Sequence, residues 1–145
     1  MKRIAVLASG EGTNLEAILE AVDRDQISAR VELVISDREA APALARACRH
    51  GVPTIYLDPR SYKGRQEYDR ALLAKLQQAR IDLVVLAGFM RLLSPLLVKA
   101  YSMRIMNIHP SLLPSFPGTA GVEEALDYGV KVTGCTVHFV DEGLD

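Results

Sequence analysis

Short apolar runs alternate along this chain with segments whose apolar residues recur every three or four positions. The runs, which predict β-strands, lie at residues 4–8, 31–35, 54–57, 83–87, 104–108 and 133–140. The segments between them predict helices, first along Leu15, Ile18, Leu19 and Val22, and then at residues 42–49, 66–79, 96–101 and 122–127. Because strands of this kind joined by helices form parallel sheets covered on both faces, the pattern predicts one α/β domain with a mainly parallel sheet.

The composition excludes several classes of protein. With 145 residues, 49% of them apolar and 24% charged, the chain has the length and balance of one globular domain. A net charge of −1 offers no basic surface to nucleic acid or to an anionic membrane. Cys48 and Cys135 lack the spacing of a metal site or a disulfide framework, so we expect no metal and a reduced, cytoplasmic setting. The first apolar run is too short for a signal peptide or a membrane span.

The loop after the first strand, Ser9-Gly10-Glu11-Gly12-Thr13-Asn14, is a candidate binding site. Parallel sheets bind ligands beyond the carboxyl ends of their strands, and a glycine loop that leads into a helix N-terminus favours an anion. The loop lacks the Gly-Lys-Ser/Thr of a P-loop. Leu15 replaces the third glycine of a dinucleotide fingerprint, although Asp37 could imitate the ribose-binding acid. We therefore expect a single phosphate group here; the alternative is an ordinary capped helix after a glycine turn.

A second candidate site is the end of the fifth predicted strand, Asn107-Ile108-His109-Pro110. Side chains alternate along a strand, so Asn107 and His109 are expected to share one face. An imidazole can carry a proton at neutral pH, and an amide can stabilise an oxygen that becomes negative in a transition state. Without a serine or cysteine nucleophile beside it, the pair favours direct acyl or formyl transfer to a bound amine. The alternative is that His109 caps a turn and Asn107 satisfies loop backbone.

The other two histidines favour structural roles. His50 ends a predicted helix, where a cation complements the helix dipole, and His138 lies within the last predicted strand. Three scattered histidines without a cluster of cysteine or glutamate do not predict a zinc site.

Several segments taken together resemble the phosphoribosylglycinamide formyltransferases of the folate-dependent formyltransferase family. They are residues 9–15 (SGEGTNL), 87–94 (AGFMRLLS), 107–114 (NIHPSLLP) and 137–140 (VHFV) with Leu144-Asp145. The resemblance implies a three-layer, Rossmann-like formyltransferase fold over residues 1–145, as a single catalytic domain in a monomer or homodimer. It also implies transfer of a formyl group from the co-substrate 10-formyltetrahydrofolate to the amine of glycinamide ribonucleotide, in de novo purine biosynthesis.

The resemblance further implies roles for individual residues. Gly12, Thr13 and Asn14 would bind the substrate phosphate. Asn107 would hydrogen-bond the formyl oxygen, His109 would be the general acid, and Asp145 would hold His109 and raise its pKa. The folate-binding residues would be Arg65, Met90, Arg91, Leu92, Leu93, Asn107, Val140, Asp141, Glu142, Gly143, Leu144 and Asp145. Spacing alone instead predicts that Phe89 and Met90 are core residues that continue the fourth strand.

The chain departs from the family pattern in two places. Relatives commonly carry a histidine soon after a Phe-Pro-Gly turn, whereas Thr119-Ala120-Gly121 follows that turn here. Relatives also continue past the position of Asp145, so we expect that part of the C-terminal region is missing. The alternatives to an active transferase are an inactive or binding-only fragment, or a related folate-dependent formyl hydrolase or transferase. The lack of a basic patch disfavours a tRNA substrate.

Overall fold

The computed structural model describes residues 1–109, 123, 127–129 and 135–141. Within those residues the strands are β1 (Lys2–Leu7), β2 (Ala29–Ser36), β3 (Thr54–Tyr56), β4 (Leu83–Leu86), β5 (Ile105–His109) and β6 (Thr136–Phe139). The helices are α1 (Thr13–Asp23), α2 (Pro42–Arg49), α3 (Gly64–Gln78) and α4 (Pro95–Ala100), with a short 3-10 helix at Pro59–Ser61. Strands and helices therefore alternate as the hydrophobic pattern predicts.

The strands form one sheet in the order β3-β2-β1-β4-β5-β6. Pairing is parallel from β3 to β5, and β6 joins β5 in antiparallel orientation. The predicted mainly parallel sheet is therefore confirmed. The chain runs outward from β1 to β3, returns to the centre at β4 and then continues on the other side. This reversal between β1 and β4 creates the crevice in which open α/β sheets bind ligands.

Different helix pairs cover the two faces of the sheet, because side chains alternate along each strand. In β1, Ala5 and Leu7 belong to a buried cluster that includes residues of α3 and α4. Ile4 and Val6 belong to a second cluster, which includes residues of α1 and α2. The predicted three layers, helix–sheet–helix, follow directly from this alternation.

The observed bounds of the elements differ little from the predicted ones. α2 occupies residues 42–49 as predicted, and α3 begins at Gly64 instead of residue 66. β6 is shorter than the predicted run at 133–140. Of the helix predicted at residues 122–127, only Glu123 and Asp127 are among the described residues.

The buried face of α3 includes a carboxylate that the apolar pattern does not predict. The pattern predicts a stripe of Tyr68, Leu72, Leu73 and Leu76. Leu73 is only half-buried, whereas Asp69 is 1% exposed. Asp69 tolerates burial because its Oδ2 accepts the backbone N–H of Ser94 at 2.5 Å. This hydrogen bond ties α3 to the residue that precedes α4.

Candidate active site

The candidate residues gather where the carboxyl ends of β1, β2, β4 and β5 meet. Backbone hydrogen bonds join the loops that leave these strands. The Ala8 N–H donates to the Ile35 carbonyl at 3.0 Å, and the Ser9 N–H donates to the Gly88 carbonyl at 3.2 Å. The loop after β1 is thereby tied both to β2 and to the segment after β4, beside the crevice between β1 and β4.

Gly12 determines the conformation of the loop after β1 and its contact with α2. Its φ of +76° lies in the left-handed region, which other residues rarely adopt. A Cβ at this position would lie 2.8 Å from both the Cα and the Cβ of Ala43. Glycine is therefore required here both for the backbone conformation and for the close approach of the loop to α2.

The N-terminus of α1 follows directly after Gly12. Among the described residues, no side chain caps this end of the helix, and the side chains of Thr13 and Asn14 are exposed. The first N–H groups of a helix have no intrahelical acceptors and carry the positive end of the helix dipole. Backbone donors, a hydroxyl and an amide are thus grouped as an anion site requires. The alternative, an ordinary capped helix after a glycine turn, stays open.

Arg46 of α2 holds the loop in place. Its Nε donates to the Glu11 carbonyl at 2.7 Å, and its Nη1 lies 3.6 Å from Oε1 of Glu16. The Ala43 N–H also donates to the Gly10 carbonyl at 3.0 Å. Sequence reasoning missed these supports, because nothing in the local spacing links α2 to the loop after β1.

Ser9 connects this loop with the loops after β2 and β4. Its hydroxyl donates to Oδ1 of Asp37 at 2.6 Å and accepts the N–H of Met90 at 2.9 Å. Ser9 is buried, with 2% of its surface exposed. The contact with Ser9 gives Asp37 a structural role, which weakens its interpretation as a ribose-binding acid.

The segment after β4 presents apolar side chains at the same edge of the sheet. Met90 is 61% exposed and Leu92 is 58% exposed, whereas Phe89 packs against the core. The expectation from spacing alone is therefore confirmed for Phe89 and wrong for Met90. Exposed apolar side chains beside a ligand crevice provide contact area for a flat aromatic ligand.

Arg91 packs against α3. Its guanidinium carbon lies 4.2 Å from the centre of the Tyr68 ring, in a cation–π contact. The Tyr68 hydroxyl donates to the Leu57 carbonyl at 2.9 Å, and burial raises the pKa of this phenol. Nε of Arg91 is buried and has no hydrogen-bond partner within the described part of the chain.

An open cavity of about 430 Å³ lies between the first residues of α3 and α4. Its lining consists of Arg65, Gln66, Ser94, Pro95 and Leu96. The Arg65 side chain is exposed, and Oγ of Ser94 is buried without a hydrogen-bond partner among the described residues. The cavity thus offers the cation of Arg65 to an acidic ligand. A second cavity, of about 340 Å³, lies at the amino ends of β4 and β5, and none of the predicted site residues lines it.

Asn107 and His109 occupy the carboxyl end of β5. Asn107 pairs with Leu86 of β4 and lies opposite His138 of β6, while His109 lies opposite Thr136. Directly opposite residues of an antiparallel pair share a face, so the half-buried Asn107 and His138 are neighbours. Sequence reasoning missed this proximity, because the register between strands is not visible in local spacing. The side chain of His109 is not among those described.

The predicted site residues near the end of the chain are described only in part. Val140 is half-buried, and its N–H donates to the Ile105 carbonyl at 2.7 Å. Asp141 is exposed. Glu142, Gly143, Leu144 and Asp145 lie outside the described residues. The contact between Asp145 and His109 stays a prediction.

His50 joins the end of α2 to α1. Its Nδ1 lies 2.7 Å from Oδ2 of Asp23, and its Nε2 lies 2.5 Å from Oε2 of Glu16. The hydrogen bond to Asp23 raises the pKa of His50, and Glu16 raises it further, while burial acts in the opposite direction. Besides its position at the helix end, His50 therefore forms a hydrogen-bonded link between α1 and α2, beside the loop after β1.

Protein stability is expected to depend on pH through His50. Because the pKa of His50 is raised from 6.5 by folding, its stabilisation is fully present below pH 6.5 and is lost as the pH rises through the folded-state value. The Tm difference between the parent protein and His50→Gln should therefore shrink from about pH 5.5 to about pH 8.5. Asp23→Asn removes one of the two carboxylates that contact His50, so it should weaken the same dependence of Tm on pH. A Tm difference that grows toward alkaline pH would contradict the link.

The described part of the chain holds neither a cluster of metal-ligating side chains nor a membrane-spanning helix. No group of three or more histidine, cysteine or carboxylate side chains is placed there to hold a metal ion. No helix in that part has both the length and the apolar character needed to cross a membrane.

The fold and this edge of the sheet define an α/β protein with a glycine loop before the N-terminus of α1 and an Asn-x-His strand end. The sequence profile of the family described as formyl transferase matches residues 2–145. The chain belongs to the formyl transferase family. It is 42% identical over 145 residues to the phosphoribosylglycinamide formyltransferase of Bacillus subtilis (strain 168), a match that covers 100% of this chain and 74% of the relative.

Solved structures confirm the predicted Rossmann-like formyltransferase fold. Glycinamide ribonucleotide transformylase 1 from Symbiobacterium toebii matches with a TM-score of 0.99 and 52% identity, over 100% of this chain and 68% of that one. Phosphoribosylglycinamide formyltransferase from Bacillus halodurans matches with a TM-score of 0.96 and 47% identity, over 99% and 74%.

Some relatives are much longer than this chain. The human trifunctional purine biosynthetic protein adenosine-3 is 48% identical over 143 residues, which cover 99% of this chain. The chain spans 14% of the human protein and 11% of its Drosophila melanogaster counterpart.

Proposed function

We propose that this chain transfers the formyl group of 10-formyltetrahydrofolate to the amine of glycinamide ribonucleotide, a step of de novo purine biosynthesis. The observation that carries the proposal is the meeting of the α1 N-terminus, the exposed segment around Met90 and Leu92, and Asn107 at one edge of the sheet. This edge offers an anion site, an apolar surface and an amide donor side by side. The names of relatives from Bacillus subtilis and Escherichia coli support the same activity.

The phosphate of glycinamide ribonucleotide would bind at the start of α1. Gly12 would let the phosphate approach the backbone, and the N–H groups of the first turn would donate to its oxygens. Thr13 and Asn14, whose side chains are exposed, would add a hydroxyl and an amide. Because the loop lacks the Gly-Lys-Ser/Thr sequence of a P-loop, the arrangement suits a single phosphate group.

The residues of the segment after β4 fit a formylated folate. A flat heterocycle would contact the exposed side chains of Met90 and Leu92, with Arg91 beside them. Arg65, at the open cavity, would pair with a carboxylate of the ligand. The remaining contacts would come from Leu93, Asn107, Val140, Asp141, Glu142, Gly143, Leu144 and Asp145, of which the last four are outside the described residues.

The proposed reaction is a direct transfer. The amine nitrogen attacks the formyl carbon and forms the new C–N bond, and the carbonyl oxygen becomes negative in the tetrahedral intermediate. Asn107 donates a hydrogen bond to that oxygen, and His109 acts as the general acid. Asp145, as a nearby anion, would favour the charged form of His109. The bond from the formyl carbon to the folate nitrogen then breaks, His109 gives its proton to that nitrogen, and the proton that the amine loses restores the charged His109.

The proposal is tested by incubating the purified protein with both substrates. We expect equal amounts of formylglycinamide ribonucleotide and tetrahydrofolate, with no product when either substrate is omitted. Calorimetric titration with each substrate is run in parallel. Release of formate without the amine would instead identify a hydrolase, and tight binding of both substrates without turnover would identify a binding-only module. Either result would overturn the proposal.

The proposal extends to the setting of the protein. Residues 1–145 would belong to one catalytic domain that acts on small molecules, without nucleic acid, membrane or metal. The domain would work in the cytoplasm as a monomer or homodimer. The net charge of −1 supports small-molecule substrates over nucleic acid. Light scattering on the purified protein distinguishes the monomer from the dimer.

A further inference from the structure

Ser9 lies in the loop after β1 and makes three hydrogen bonds to the loops after β2 and β4. Its N–H donates to the Gly88 carbonyl at 3.2 Å, its hydroxyl donates to Asp37 at 2.6 Å, and its oxygen accepts the Met90 N–H at 2.9 Å. The first and third of these bonds reach the segment after β4. The second reaches the residue that follows β2.

The chemistry of a hydroxyl explains why Asp37 matters for the contact with Met90. A serine hydroxyl has one proton and two acceptor lone pairs. Since the carboxylate of Asp37 takes the proton, the lone pairs are left for the Met90 N–H. A hydroxyl that donates to a carboxylate is also a stronger acceptor, because the two bonds polarise each other.

The two sides joined by Ser9 are anchored unequally. The loop after β1 is also held from α2, by the Ala43 N–H at Gly10 and by Arg46 at Glu11. On the other side, Phe89 packs against the core and Arg91 packs against Tyr68, but the Met90 side chain between them is 61% exposed and adds little packing. Loss of the Ser9 hydroxyl should therefore release the backbone at Met90 more than the loop after β1.

We propose that Ser9 is a positioning residue, which holds the backbone of residues 88–93 in a defined position relative to the loop after β1. Asp37 orients the Ser9 hydroxyl for this contact. Residues 88–93 would face the folate. The ligands named here rest on the proposed function, whereas the connection between the two segments does not. Ser9 acts through Met90 and needs no contact with a reacting atom.

The test compares Ser9→Ala with Ser36→Ala as a matched control. Ser36 is also a buried serine at the carboxyl end of a strand, but its Oγ accepts the N–H of Arg38. Ser9→Ala should raise the KM for 10-formyltetrahydrofolate about tenfold, with the KM for glycinamide ribonucleotide and kcat changed by less than about threefold. Asp37→Ala should shift the same KM in the same direction. Ser36→Ala should leave both KM values within about threefold of the parent.

A second readout does not depend on turnover. Hydrogen exchange of the Met90 amide should be about tenfold faster in Ser9→Ala than in the parent, with the amides of β1 as internal reference and no such change in Ser36→Ala. The proposal is overturned if exchange of the Met90 amide is unchanged in Ser9→Ala. It is also overturned if Ser9→Ala and Ser36→Ala change the two KM values by the same factors. If the parent has no transferase activity but the exchange difference is present, the proposed function fails and the positioning role of Ser9 stands.

Discussion

Replacing His109 with alanine is expected to lower kcat by about 100- to 10,000-fold, the range that a general acid contributes. The tetrahedral intermediate would then collapse without a placed proton donor. Binding should change little, because a general acid acts mainly on the transition state. Steady-state kinetics give kcat, and calorimetric titration with each substrate gives the two Kd values.

Two further variants sharpen this prediction. Asn107→Ala should lower kcat by about 100-fold through loss of the donor to the formyl oxygen. His50→Gln removes a histidine whose ring nitrogens contact Asp23 and Glu16, and it should keep kcat within about threefold at neutral pH. If His109→Ala keeps more than about a tenth of the parent kcat, His109 is not the general acid.

Gly12→Ala is expected to raise the KM for glycinamide ribonucleotide by about 100-fold and to lower stability by at least about 2 kcal/mol. Alanine disfavours the φ of +76°, and its Cβ would lie 2.8 Å from backbone and side-chain carbons of Ala43. Relief of that overlap must move the loop away from α2, and the first turn of α1 moves with it. Steady-state kinetics and thermal unfolding measure the two effects.

Variants of two other glycines distinguish the positive φ of Gly12 from its overlap with Ala43 as the cause of the higher KM. Gly10→Ala changes the same loop, where an added Cβ meets no heavy atom within 4 Å, and should leave the KM close to that of the parent. Gly51→Ala has a comparable φ of +71° without a clash, so it should lose stability without a change in KM. If Gly10→Ala and Gly12→Ala raise the KM equally, the contact with Ala43 is not the cause.

The fold could be predicted closely because its main determinants are local. An apolar run such as that of β4 is long enough for a strand and too short for a helix, and the Ser94-Pro95 pair marks the start of α4. Asp69 shows where this reasoning fails. A charged residue inside an amphipathic helix is expected at the surface, but the N–H of Ser94 supplies the hydrogen bond that lets this carboxylate be buried.

The candidate site was predictable to the extent that its residues are consecutive. The glycine loop before α1 and the Asn-x-His end of β5 each lie on one element, so their chemistry can be inferred from spacing. His138 belongs with Asn107 only through the register of β6 against β5. The exposure of Met90 likewise depends on where the chain leaves the core after β4, which the apolar pattern does not indicate.

The sequence by itself determined the alternation of strands and helices, the glycine turn before α1 and the placement of Asn107 and His109 two positions apart on one strand. Each of these depends on residues within a few positions of one another. Only the tertiary structure decided that Ser9 would meet Asp37, 28 residues away, and Met90, 81 residues away. Such contacts depend on the order of the strands in the sheet, because the return of the chain to the centre at β4 brings these loops together.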